Sequence, residues 1–151
     1  MSKIVSKEFF SENVVKLEVE APLIARSRKA GHFVIVRVDA NGERIPLTIA
    51  DSDTEKGTIT LVIQKIGASS TKITNLNVGD ELLDVVGPLG KATHIDKFGT
   101  VVCSGGGVGV APLLPIIKAM KAAGNKVISV LAARTKDLVI LEEQVREYSD
   151  E

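Results

Sequence analysis

The segment that decides the fold is residues 100–112, TVVCSGGGVGVAP. A short apolar run is followed by a glycine cluster and then by apolar residues at helical spacing, which predicts a strand, a tight loop and a helix. The helical positions are Val110, Leu113, Leu114, Ile117 and Met120. Free backbone N–H groups and the helix dipole at such a junction favour an anion such as a pyrophosphate. We therefore expect a dinucleotide-binding loop, formed by Gly105, Gly106, Gly107, Val108, Gly109 and Pro112.

The same loop departs from two common nucleotide motifs. The usual dinucleotide fingerprint has a glycine where Pro112 stands, and an acidic residue near the end of the next strand, where Arg134 occurs. An ordinary Rossmann dehydrogenase is therefore disfavoured, and the absence of Gly-Lys-Ser/Thr disfavours a Walker-type site. The alternative is a tight turn with no ligand, in which Pro112 simply lies in the first turn of a helix.

Downstream of the loop the pattern alternates between strand and helix. Gly124 and Asn125 end the first helix, residues 127–131 form a buried-type strand, and residues 137–148 predict a second amphipathic helix. Its inward positions are Leu138, Leu141 and Val145. The order βαβα predicts a parallel sheet, but two strands make a very small one. We expect a truncated, partial α/β domain whose unpaired sheet edge promotes self-association.

Upstream of the loop the chain alternates apolar and polar residues in short runs. The clearest are residues 14–19, 34–38 and 58–63, which predict antiparallel strands. Asn41-Gly42 predicts a type I′ hairpin turn between two of them. Many short strands favour closure into a small β-barrel. The predicted domains are residues 1–97 and residues 98–151.

Composition excludes several classes of protein. The chain has 151 residues, of which 44% are hydrophobic, 19 are basic and 19 are acidic. A balanced charge argues against nucleic-acid binding. The single cysteine, Cys103, excludes an intrachain disulfide and a cysteine-only iron-sulfur site. No apolar run resembles a signal peptide or a membrane span, so we expect a soluble, cytoplasmic protein.

Two further motifs precede the glycine loop: residues 44–51, RIPLTIAD, and residues 63–71, IQKIGASST. With the loop, they resemble the ferredoxin-NADP reductase superfamily, in which an FAD-binding barrel precedes a nicotinamide-binding domain. Within it the chain is most similar to the small FAD-bearing subunits of NADH-dependent ferredoxin:NADP+ oxidoreductase and sulfide dehydrogenase. These are related to the electron-transfer subunit of dihydroorotate dehydrogenase.

The resemblance implies flavin contacts in the first of these motifs. Thr48 corresponds to the hydroxyl near the reactive nitrogen of the flavin, and Pro46 and Leu47 to residues that pack on its ring. The family's pyrophosphate-binding arginine falls on Ile45, one residue after Arg44, and adjacent strand residues face opposite ways. A bulge would re-aim Arg44 toward the pyrophosphate. The alternative for Arg44 is a solvated charge on the strand.

The second motif resembles the segment around the FAD pyrophosphate. Its implied contacts are Ile63, Gln64, Lys65, Gly67, Ser69, Ser70 and Thr71. Hydroxyl and N–H groups at a helix start donate well to phosphate, although capping of a short helix over residues 70–74 needs no ligand. Arg134 is positioned for the adenosine end of the nucleotide, or is an exposed surface arginine. The sequence does not decide between NADH and NADPH as the nucleotide.

The function that the resemblance implies is electron transfer between NAD(P)H, through FAD, and an iron-sulfur protein or a larger partner subunit, with ferredoxin as one acceptor. The flavin carries the chemistry and the protein positions it. Thr48 is the one side chain expected at the reacting atom. No metal site is expected within this chain; a two-iron cluster is expected only in a missing C-terminal part. The alternatives are a non-enzymatic docking module and a dihydroorotate dehydrogenase electron-transfer subunit.

Overall fold

A computed structural model describes residues 1–151. The elements in chain order are β1 (Ser2–Ser11), β2 (Val14–Glu20), α1 (Pro22–Ser27), β3 (Phe33–Arg37), β4 (Ile45–Thr48), β5 (Asp51–Asp53), β6 (Thr58–Gln64), α2 (Ala68–Thr74), β7 (Glu81–Leu82), β8 (Asp84–Leu89), β9 (Thr100–Gly106), α3 (Val110–Ala122), β10 (Lys126–Ala132) and α4 (Glu142–Glu147). The predicted order, antiparallel strands followed by a small parallel unit, is confirmed. No helix has the length and apolar content needed to cross a bilayer.

The antiparallel part consists of two sheets around one core. One sheet has the order β5-β6-β2-β1-β7 and the other β4-β3-β8. Leu17 and Leu61 of the larger sheet and Val34 of the smaller one belong to a single cluster of 15 buried residues. The predicted closure is wrong in one respect, since no hydrogen-bonded ladder joins the two sheets. The outer strands are poor partners: β5 and β7 are very short, and β4 contains Pro46, which lacks an N–H.

The predicted Asn41-Gly42 hairpin turn is also wrong. Strand β3 ends at Arg37 and β4 begins at Ile45, and neither Asn41 nor Gly42 has the positive φ that a type I′ turn requires. Side chains shape the longer loop instead. The carboxylate of Asp39 accepts a hydrogen bond from the N–H of Asn41 at 3.0 Å, and Arg37 Nε donates to the carbonyl of Gly42 at 3.1 Å.

The C-terminal part is a two-stranded parallel sheet with helices on one face. Val101 pairs with Val127 and Cys103 with Ser129, so the buried residues of β9 and β10 face the same way. They pack on Leu114 and Ile117 of α3 in a second cluster of 12 buried residues. Burial raises the pKa of the Cys103 thiol, as expected of a core cysteine.

The second helix is shorter than predicted. Residues 136–138 form a 3-10 turn, and the helix begins only at Glu142. Leu141 has a left-handed backbone with φ of +58°, which breaks the helical path. Leu138 is 40% exposed, whereas Leu141 and Val145 are buried as predicted. Val139 is extended and Leu141 is left-handed, so the segment between the 3-10 turn and α4 is not helical.

The outer edge of β10 is partly paired by the chain itself. The N–H of Asp150 donates to the carbonyl of Val127 at 2.7 Å, and the N–H of Ser129 donates to the carbonyl of Glu151 at 2.7 Å. Lys121 binds the Asp150 side chain at 2.8 Å and, as the main cause, lowers its pKa. Part of the edge predicted to be unpaired is therefore occupied, and self-association through it stays a prediction.

Asn125 ties the segment that joins the two parts to the end of α3. Its side chain is 2% exposed and accepts hydrogen bonds from the N–H groups of Phe98 and Gly99 at 2.6 and 2.9 Å. Its amide donates to the carbonyls of Asp96 and Met120 at 2.8 and 2.9 Å. Every polar atom of this buried side chain is thus engaged.

We expect Asn125→Ala to lower the free energy of unfolding by about 2–3 kcal/mol, because it removes four hydrogen bonds to partly buried backbone groups. Urea unfolding followed by circular dichroism measures this. Asn77→Ala is the matched control, since Asn77 is exposed, and it should change stability by less than about 0.5 kcal/mol. Equal stability of the two variants would contradict the role of Asn125.

Candidate functional site

One cleft brings together parts of all three sequence motifs. This first cleft has a volume of about 470 Å³ and lies between β4, the end of β6, the start of α2 and the glycine loop. It is lined by Glu43, Ile45, Pro46, Leu47, Val62, Ile63, Gln64, Ile66, Gly67, Ala68, Ser69, Ser70 and Val108. Eight of these are predicted site residues: Pro46, Leu47, Ile63, Gln64, Gly67, Ser69, Ser70 and Val108.

A second cleft adjoins the first. Its volume is about 590 Å³, and it shares Gln64 and Val108 with the first cleft. It is lined by Ser11, Asn13, Val14, Gln64, Gly106, Gly107, Val108, Ala132, Ala133, Arg134, Leu138 and Ile140. The predicted residues Gly106, Gly107 and Arg134 therefore lie together here. Two neighbouring clefts meet at the glycine loop.

Three consecutive residues of β4 line the first cleft. Ile45 and Leu47 also pack against the core of the antiparallel part, while Pro46 is exposed on the other face of the strand. Thr48 follows Pro46 on that same face and pairs with Phe33 of β3. Thr48 is half-buried and is not itself a lining residue of either cleft.

The start of α2 is organised by its two serines. Ser70 Oγ accepts hydrogen bonds from the N–H groups of Ile66 and Gly67, both at 2.9 Å, which stabilises the turn into the helix. Ser69 points elsewhere, and its hydroxyl donates to Glu43 Oε2 at 2.7 Å. The helix begins at Ala68, two residues before the predicted start, and Ser70 bonds back to the N-cap residue Gly67 from inside the first turn. Both serines still line the first cleft.

The glycine loop needs glycine at two positions for different reasons. Gly107 has φ of +56°, a conformation that side chains with a Cβ disfavour. A Cβ on Gly105 would lie 3.0 Å from Leu113 Cδ2 and 3.3 Å from the carbonyl oxygen of Gly109. The loop is thus a 3-10 turn over Gly107–Gly109, followed by α3 with Pro112 in its first turn.

Several predicted residues lie outside both clefts. Arg44 is exposed, and its guanidinium lies 3.5 Å from Asp84. Lys65 and Thr71 line neither cleft, and Gly105, Gly109 and Pro112 shape the loop without lining one. Arg44 lines neither cleft, and its role as the cation for the pyrophosphate stays a prediction.

Glu43 and Ile66 are lining residues that sequence reasoning missed. Glu43 immediately precedes Arg44. Because adjacent residues of an extended chain face opposite ways, a side chain of Arg44 that faces away from the cleft places that of Glu43 toward it. Ile66 is 80% exposed although it is large and apolar. Its position between two predicted ligand residues, Lys65 and Gly67, is the sequence signal that could have found it.

An ion-pair network holds the two parts of the chain together. Asp51 of β5 contacts Lys118 of α3 at 2.8 Å and Arg28, after α1, at 3.5 Å. The pKa of Arg28 is lowered, mainly by burial, while Asp51 opposes that effect. The ammonium of Lys118 also lies 4.9 Å from the ring centroid of Tyr148. These contacts stabilise the relative placement of the two clefts.

Comparison with known proteins identifies the family. Residues 1–94 match the family described as "Oxidoreductase FAD-binding domain", and the chain belongs to it. The electron transfer subunit homolog of dihydroorotate dehydrogenase B (NAD(+)) of Thermotoga maritima is 41% identical, covering 99% of this chain and 53% of that protein. The electron transfer subunit of Bacillus cereus strain Q1 is 30% identical, with 97% and 59% covered. The chain spans about half the length of these curated relatives.

Solved structures confirm the fold predicted from the resemblance. The structure of an NADH-dependent reduced ferredoxin-NADP oxidoreductase superposes with a TM-score of 0.96 at 40% identity, covering 99% of this chain and 54% of that one. Phthalate dioxygenase reductase superposes with a TM-score of 0.76 at 19% identity, covering 91% and 45%. The first is a close relative, and the second shows the shared fold. The chain is therefore ferredoxin reductase-like, as predicted.

We expect Gly107→Ala to lower the free energy of unfolding by about 1–2 kcal/mol, because alanine is disfavoured at positive φ. Gly109→Ala is the control in the same turn. Gly109 has φ of −63° and nothing within 4 Å of an added Cβ, so its replacement should be neutral or slightly stabilising. Thermal and urea unfolding of the two variants compare them directly. Equal losses would contradict the described loop conformation.

Proposed function

We propose that this chain binds FAD in the first cleft and takes part in electron transfer between NAD(P)H and a partner protein. The observation that carries the proposal is the convergence of three distant motifs on one cleft beside the glycine loop. The family match and the relatives described as electron transfer subunits support it. We place the boundary between the FAD-binding and nucleotide-binding parts at residues 97 and 98.

The residues of the first cleft fit a flavin in most respects. Pro46, Leu47 and Ile66 give an apolar wall suited to an aromatic ring system, and Gln64 and Ser69 give polar groups suited to its diphosphate and ribityl chain. Bound FAD would supply hydride exchange with nicotinamide and single-electron exchange with a partner. The protein's part is to bind and orient the flavin. Thr48 lies beyond the lining of the first cleft, on the same strand face as Pro46, and we propose that the reacting end of the flavin extends to it.

We assign the second cleft to the nicotinamide nucleotide. Gly106 and Gly107 leave one part of its wall free of side chains, and Arg134 supplies a cation for the adenosine end. Because the two clefts share Gln64 and Val108, a nucleotide in one would lie next to a flavin in the other. Proximity of donor and acceptor is the main requirement for hydride transfer.

The similar proteins have two different names, so we propose only the chemical class of the electron acceptor. One is named as an electron transfer subunit homolog of dihydroorotate dehydrogenase B, and the other as a ferredoxin-NADP oxidoreductase. We propose an iron-sulfur protein or a larger partner subunit as the acceptor, with a two-iron cluster held outside these residues. This role requires a protein partner and no metal ligand from this chain.

Ile66→Glu tests the location of the FAD site. A carboxylate on the wall of the first cleft should repel the diphosphate and weaken FAD binding about tenfold. Val78→Glu is the control, since Val78 is also exposed, at 59%, and lines neither cleft. Quenching of flavin fluorescence gives the dissociation constants, and circular dichroism confirms folding. Equal weakening in both variants would contradict the assignment of the cleft.

Loading the chain with FAD and titrating NADH and NADPH without oxygen tests the redox role. We expect retained flavin absorption bands that bleach with at least one nucleotide. Bands that persist with both nucleotides would contradict hydride transfer by this chain, although not FAD binding. Absence of any retained flavin would contradict the whole proposal.

A further inference from the structure

The first cleft contains one formal charge, and that charge is negative. Glu43 is the only ionisable residue among those that line it. Arg44, which the sequence suggested as the cation for a diphosphate, instead contacts Asp84 at 3.5 Å. A diphosphate is itself doubly negative, so a carboxylate nearby opposes its binding. Glu43 is therefore the one lining residue whose chemistry does not fit FAD.

Glu43 also accepts the hydrogen bond of a hydroxyl group that we assign to the FAD diphosphate. Ser69 Oγ donates to Glu43 Oε2 at 2.7 Å in the ligand-free chain. Ser69 belongs to the motif that we assign to the diphosphate. A hydroxyl has one proton to donate, so it donates either to the carboxylate or to a phosphate oxygen.

The loop that carries Glu43 has a second attachment to α2. Lys72 Nζ lies 2.6 Å from Asp39 Oδ2, and the hydrogen bond from Lys72 is the main reason that the pKa of Asp39 is lowered. A smaller cavity of about 230 Å³ lies between the loop and α2 and shares Glu43, Ala68 and Ser69 with the first cleft. Because Asp39 and Lys72 hold the loop independently, the Glu43 side chain can leave Ser69 without release of the whole loop.

We propose that Glu43 sets the affinity of the chain for FAD by holding Ser69 until the diphosphate displaces it. This inference rests on the proposed function, since it assumes that FAD binds in the first cleft. Glu43 acts through its charge and through Ser69, so it is a positioning residue. Removing the charge of Glu43 lowers the electrostatic free-energy cost of binding the FAD diphosphate. Removing its whole side chain also frees the Ser69 hydroxyl.

The test measures FAD affinity in the wild type, Glu43→Gln and Glu43→Ala. We expect both variants to bind FAD about three- to tenfold more tightly at low ionic strength, with a smaller difference in high salt. Glu55→Gln removes the same charge from an exposed turn that lines neither cleft, and it should match the wild type. In a Ser69→Ala background, Glu43→Ala should have a smaller effect, because the contact is already absent.

Amide hydrogen exchange of the ligand-free chain supplies a readout that does not depend on FAD. Glu43→Ala should change amide exchange at residue 69, and Ser69→Ala should change it at residue 43, without faster exchange across the loop that Asp39 and Lys72 hold, while Glu55→Gln should change neither. Unchanged exchange in both variants would overturn the proposed contact. Equal or weaker FAD binding by Glu43→Gln, with normal binding by the wild type, would overturn this inference alone. Absence of FAD binding in every variant and the wild type would overturn the proposed function, and this inference with it.

Discussion

The structure depends on strand β6, which serves two hydrophobic cores at once. Ile59, Leu61 and Ile63 point into the core of the antiparallel sheets, whereas Val62 belongs to the second core with α3 and β10. Because adjacent residues of a strand face opposite ways, one short run of apolar residues fastens the two parts together. The end of β6 leads directly to Gln64, which lines both clefts. Packing on both faces of one strand thus fixes where the site forms.

Electrostatic contacts reinforce this arrangement at a different point. Asp51 joins β5 to α3 through Lys118, and Ala50, its neighbour in sequence, is buried in the second core. Lys118 and Asp51 are partly shielded, so their attraction is screened less by salt than that of fully exposed pairs. The two clefts therefore meet across an interface with both apolar and ionic contacts.

Sequence patterns predicted the fold where a residue's environment follows from local alternation. The alternation of apolar and polar residues predicted β2, β3 and β6, and the glycine cluster predicted the junction of β9 and α3. Local patterns do not reveal Leu141, whose left-handed backbone interrupts a segment with apolar residues at helical spacing. The loop at Asn41-Gly42 was missed because Arg37 and Asp39 bond its backbone and replace the turn.

The candidate site was predictable as a set of motifs but not as a set of contacts. Pro46, Gln64 and Ser69 lie in one cleft as the motifs suggested, because strand ends and helix starts converge there. The choice between Glu43 and Arg44 as the cleft-facing charge was not predictable, since it depends on how the preceding loop enters β4. The structure places the carboxylate in the cleft and the guanidinium beside Asp84.

A crystal structure of the chain with FAD would show directly whether FAD occupies the first cleft. We expect flavin density there, with the diphosphate beside Ser69, the ring system against Pro46 and the Glu43 side chain turned away from Ser69. Density for FAD at any other surface, or a diphosphate bound while Glu43 still contacts Ser69, would contradict this expectation.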